Sequence, residues 1–100
     1  MSDIHTVKVA KDLEDLIPVF MKNRQKELET LRAAVGAADY EQLRQLGHRM
    51  KGVGNSYGFA HVSVLGKRIE DAAKASDQGA LNACVDDYAD HLSKVTIVYE

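Results

Sequence analysis

In DYEQLRQLGHRMKGVGNSYGF, residues 39–59, the apolar side chains Leu43, Leu46, Met50 and Val53 recur at spacings of three and four. That is the period of a helix packed along one stripe. Asp39 is the expected N-cap. The helix is expected to run to about Val53, to weaken through Gly52, Gly54 and Asn55-Ser56, and to end in a turn at Gly58-Phe59. One residue does not belong to the stripe. His48 stands two positions from both Leu46 and Met50, roughly 200° around the helix from either. It therefore faces solvent, with Arg44, Gln45, Lys51 and Gly52 three and four residues away as its neighbours. An exposed imidazole with a lysine one turn on and a glycine gap beside it is a candidate reactive group.

Similar stripes extend on either side. Before residue 39 the stripe is Leu13, Ile17, Phe20, Met21, Leu28, Leu31 and Val35, with Asp12 as the expected N-cap. Pro18 interrupts it, which predicts a short helix over 12–16 leading into a longer one, or a kink near Leu16. The polar face of this helix carries Lys22, Arg24, Lys26, Glu27 and Glu29 and reads as a solvated side. A third helix is expected over about His61 to Ala75, with the stripe Val62, Leu65, Ile69, Ala72 and Ser76; Gly66 inside it implies close packing or access. After the turn Ser76-Asp77-Gln78-Gly79, the stripe Leu81, Cys84, Val85, Tyr88, Leu92, Val95 and Tyr99 predicts a last helix running to the C-terminus. Short loops between four such helices predict an all-α, antiparallel up-down-up-down four-helix bundle over residues 12–100. Residues 1–11, with a weak alternation of Ile4, Val7 and Val9, read as an extended N-terminal arm.

Composition narrows the function. One hundred residues, 45% of them apolar, can form one domain with a modest core. A net charge of −2 with interspersed signs argues against nucleic-acid binding. A single cysteine, Cys84, excludes an intrachain disulfide and a cysteine-rich zinc site, and lies on a core stripe. No apolar run approaches the roughly 20 residues of a membrane span, and no signal-peptide pattern opens the chain, so a cytoplasmic protein is expected. There is no Gly-rich phosphate cradle and no nucleophile elbow. The histidines His5, His48, His61 and His91 show no HxxH or HxxxH spacing, so no metal site is expected; His5 reads as a surface residue, and His61 and His91 as making local polar contacts.

The His48 face supports different chemistry. A neutral imidazole is a competent nucleophile near pH 7, and a phosphoryl adduct would carry about two negative charges for Lys51 to pair with. Side chains on a helix lean toward its N-terminus, so a side chain at 52 would lean over His48, and Gly52 leaves that space open.

His48-Arg49-Met50-Lys51-Gly52, followed by Ser56, Gly58 and Phe59, resembles the signature of histidine-containing phosphotransfer (HPt) domains, and the chain from about residue 12 to 100 fits the family's helix order. The resemblance implies that His48 is the phosphoacceptor, that Lys51 stabilises the phosphoryl group and that Gly52 gives access. It implies that Glu70 on the next helix bonds the other imidazole nitrogen, and it makes Arg44, Gln45 and Lys67 candidate neighbours of the phosphoryl group. Relatives carry Gly or Ala seven residues after the histidine; here that position is Asn55, with Gly54 one earlier. The implied function is a two-component phosphorelay intermediate without catalytic activity of its own. It would take a phosphoryl group from a receiver-domain phospho-aspartate and pass it to another receiver. Implied partners are response-regulator receivers and a hybrid histidine kinase, with no cofactor on this chain, Mg²⁺ on the receiver, a monomeric state and an apolar docking patch around Tyr57 and Phe59. The alternative is a docking module that binds a receiver or kinase without being phosphorylated.

Overall fold

A computed structural model describes residues 4–100. In chain order these form strand β1 (Thr6–Val9), a 3-10 helix (Lys11–Leu16), helices α1 (Ile17–Gly36), α2 (Tyr40–Tyr57), α3 (Ala60–Lys74) and α4 (Gln78–Lys94), and strand β2 (Thr96–Tyr99). The described residues are mostly helical, and their four α-helices form a bundle. α2 packs most extensively on α3, and the contacts of α3 with α4, α4 with α1 and α1 with α2 complete the ring.

The helix boundaries follow local chemistry. Pro18 falls in the first turn of α1, where a missing backbone donor costs nothing, so it starts that helix rather than kinking it. The preceding residues wind into the 3-10 turn, and Asp12 lies inside that turn instead of capping a helix. Asp39 caps α2 by accepting from the Gln42 amide at 3.2 Å, and Asp77 caps α4 by accepting from the Ala80 amide at 3.0 Å. α2 does not weaken at Val53. It continues through Gly54 and Asn55 to Tyr57, and Gly58 closes it with a left-handed φ of 82° that costs glycine little. The Phe59 amide then bonds the Gly54 carbonyl at 2.8 Å.

The two ends of the chain depart from an all-helical reading. The last helix stops at Lys94, and the β-branched run after it pairs as β2 with β1 in parallel, Thr6 opposite Thr96 and Val9 opposite Tyr99. Val7 and Val9 point into the core, so the extended segment is built into the fold as a strand. Residues 1–3 of the expected arm lie outside the described residues.

The core runs through Val9, Leu31, Leu43, Met50, Phe59, Leu65, Ile69, Leu81 and Tyr88, all essentially without solvent contact. Phe59 is therefore a core residue and not part of an exposed patch; it stacks on Phe20, which also stacks on the half-buried Tyr57. Cys84 is buried, and burial pushes its thiol pKa up. Two charges on α1 are also drawn inward. Arg24 and Glu27 pair at 3.1 Å with side chains only 11% exposed, Arg24 lies over the Phe20 ring, and the Tyr88 hydroxyl donates to Glu27 at 2.8 Å. This face of α1 is not uniformly solvated, because Tyr88 has a buried hydroxyl that needs an acceptor. His5 from the turn before β1, His61 from α3 and His91 from α4 gather together, with His91 fully buried and its Nδ1 2.8 Å from that of His5. Burial and the neighbouring His5 and Arg68 hold the His61 pKa down. Among the described residues no helix is long and apolar enough to cross a membrane.

Candidate functional site

α2 and α3 approach each other along a seam of small residues, and that approach builds the site. A Cβ at Gly47 would lie 2.6 Å from both the Glu70 amide nitrogen and the Gly66 carbonyl oxygen. One at Gly66 would lie 2.7 Å from the Gly47 carbonyl oxygen and the Lys51 amide nitrogen. Gly54 is as closely held against the Ser63 and Phe59 backbone. Close packing is thus the reason for Gly66. Ser63 adds a tie between the helices, its hydroxyl donating to the Lys51 carbonyl at 2.6 Å.

With the backbones this close, Glu70 on α3 reaches His48 on α2. His48 is 65% exposed at its side chain, whereas Glu70 is 8% exposed at its own. The Glu70 Oε2 lies 3.1 Å from His48 Nδ1. An ionised carboxylate can only accept, so the imidazole donates its Nδ1–H and carries the free lone pair on Nε2. Lys51 Nζ stands 3.4 Å from the other carboxylate oxygen. Burial alone would raise the Glu70 pKa, but the hydrogen bond and charge of Lys51, with Lys74 and the His48 contact, hold it below the usual carboxylate value.

The remaining candidates are placed differently. Arg44 and Gln45 both bond Glu41, one turn back on α2, and that pairing keeps the Glu41 pKa low. Lys67 pairs with Asp71 at 3.3 Å. The structure therefore joins His48, Lys51 and Glu70 in one network and engages Arg44, Gln45 and Lys67 elsewhere. Gly52 is exposed, and a Cβ there would meet nothing within 4 Å. Asn55, also exposed, lies toward a groove of about 520 Å³ between α2 and α3, which is lined in part by Lys51, Ser63, Val64 and Lys67. Among the described residues no group of three or more His, Cys, Asp or Glu side chains is arranged to hold a metal ion.

Gly47, Gly54 and Ser63 carry no chemistry, and the stripe alone does not mark them. The available signal is that Gly47 and Gly54 stand seven residues apart, on the side of the helix that also carries Leu43 and Met50.

A family model described as Hpt domain matches residues 15–96. No curated protein and no solved structure matches the chain significantly.

Proposed function

Since the chain belongs to the Hpt domain family, whose members are phosphotransfer modules of two-component signalling, we propose that it is a phosphorelay intermediate with His48 as its phosphoacceptor. The observation that carries this reading is the pairing of His48 Nδ1 with the buried Glu70 carboxylate while the ring stays open to solvent. That bond fixes the tautomer in which Nε2 is the nucleophile.

The step follows from this geometry. Nε2 attacks the phosphorus of a receiver's aspartyl phosphate, an N–P bond forms, and the P–O bond breaks with its electron pair returning to the aspartate carboxylate. No proton has to leave, because the Nδ1–H stays on the ring against Glu70. The ring gains positive character, which the carboxylate stabilises. Lys51 is the cation for the phosphoryl oxygens, and Gly52 leaves room for a large partner. Mg²⁺ belongs to the receiver in this reading.

The finer features go with this assignment. The bundle has the up-down-up-down order that its short loops dictate, its domain spans 12–100, and it acts as a cytoplasmic monomer. Its partners are receivers and a hybrid histidine kinase. Loading the protein with labelled phosphoryl group and adding an unphosphorylated receiver tests the relay. Label should pass to the receiver aspartate; retention of all label on the loaded protein would contradict onward transfer.

A further inference from the structure

Glu70 is a buried carboxylate with two partners of different kinds. Its residue is 6% exposed, one oxygen faces the His48 Nδ1–H, and the other faces the Lys51 ammonium. An ionised carboxylate so far from water needs a counter-charge as well as hydrogen bonds. A neutral imidazole supplies only the hydrogen bond, so in the unmodified protein Lys51 supplies the charge. The other nearby cations are engaged with carboxylates of their own: Arg44 with Glu41, Lys67 with Asp71 and Arg68 with Asp87. Lys74 acts on Glu70 only through its field.

Phosphorylation reverses this arrangement. Once Nε2 bonds phosphorus and the aspartate leaves with the P–O electron pair, the ring is cationic with its proton still on Nδ1. Glu70 then has a counter-charge on its existing hydrogen bond. A phosphoryl group with about two negative charges now stands at the other nitrogen, more than the single ring cation shared with Glu70 can balance. We propose that Lys51 is handed from one anion to the other, holding the Glu70 carboxylate while His48 is unmodified and moving to the phosphoryl oxygens once His48 is phosphorylated. The inference rests on the phosphotransfer reading. Lys51 is free to make the move. It is 38% exposed at its side chain, has a flexible four-carbon stem, and stands beside the open space at Gly52. The charge that stabilises the product is thereby kept off the Nε2 face until the phosphoryl group arrives.

Hydrogen-bond scalar couplings from the Lys51 Nζ, measured by NMR before and after treatment with phosphoramidate, test the handover in the full chain. The unmodified protein should show coupling to the Glu70 carboxyl carbon, and the phosphorylated protein should show coupling to phosphorus instead. Coupling that stays on Glu70 while His48 carries phosphorus would overturn the handover and leave the relay reading standing. Failure of phosphoramidate to place any phosphorus on His48 would overturn both. As a second measurement, Lys51→Met should raise the titration midpoint of the Glu70 carboxyl in the unmodified protein, because the hydrogen bond and charge of Lys51 hold it down. An unchanged midpoint would overturn the unmodified half of the exchange.

Discussion

The same substitution at two glycines of α2 should have opposite effects. At Gly47 an added methyl would lie 2.6 Å from two backbone atoms of α3, the Glu70 nitrogen and the Gly66 oxygen. Ordinary contact is roughly 3.5 Å, so α2 and α3 would have to part by about 0.9 Å at this point. Overpacking costs about 1–3 kcal/mol, and because backbone cannot rotate out of the way the upper end applies. Alanine's better helix propensity returns about 1 kcal/mol, which leaves Gly47→Ala destabilised by about 2 kcal/mol. At Gly52 the methyl meets nothing, so Gly52→Ala keeps only the gain of about 1 kcal/mol. The two variants should therefore differ by about 3 kcal/mol, a gap in melting temperature on the order of 12–24 °C for a domain of this size. Separating the helices by about 0.9 Å would also lengthen the His48–Glu70 contact beyond hydrogen-bonding range, so Gly47→Ala should slow phosphorylation of His48 as well. Thermal unfolding of both variants beside wild type, followed by circular dichroism, gives the comparison. A Gly47→Ala protein melting within about 2 °C of wild type would refute the close-approach argument.

Gly52→Leu should leave the fold intact and slow transfer from a phosphorylated receiver, because a branched side chain then leans over His48; normal transfer rates would remove the access role of Gly52. Tyr88→Phe should cost about 1–3 kcal/mol in urea unfolding, since the half-buried Glu27 carboxylate loses its hydroxyl donor at 2.8 Å. The Glu70 carboxyl has a folded pKa below its unfolded value of about 4.3, so its contribution to stability is present above that pH and is lost as pH falls through the lower, folded value. Glu70→Gln should accordingly show a shallower loss of stability across that acid range than wild type, read as urea midpoints at a series of pH values. Val9→Ala should destabilise by about 2 kcal/mol and loosen both termini, which amide exchange at Thr96 and Glu100 would report.

Helix stripes are legible in the sequence because burial on one face imposes a period on Leu, Ile and Val, and His48 is legible because it breaks that period. The ends of the chain are less so. Val95 and Tyr99 fit the α4 stripe as well as they fit a strand, and only the pairing of Thr96–Tyr99 with Thr6–Val9, ninety residues away, decides between them. Pairing at that distance leaves no local trace. Arg24 and Glu27 look like surface charges because nothing near them in sequence announces the Tyr88 hydroxyl they meet. The site divides in the same way. His48, Lys51 and Gly52 lie within five residues and read together, whereas Glu70, on the next helix, is marked only by the family resemblance. The engagement of Arg44 and Gln45 with Glu41, and of Lys67 with Asp71, depends on the rotamer each side chain adopts along its own helix, which spacing alone does not decide. The Gly47–Gly66 contact that brings Glu70 to His48 is a property of two helices together.

The central claim is that His48 accepts a phosphoryl group from a receiver. Wild type and His48→Gln should each be incubated with a receiver domain carrying a labelled aspartyl phosphate, and the products exposed to acid and to alkali. Wild type should acquire label that is acid-labile and alkali-stable, while His48→Gln, folded to the same melting temperature, should acquire none. Equal labelling of the two proteins, or binding of receivers with no label on wild type from any of a broad panel, would contradict the account.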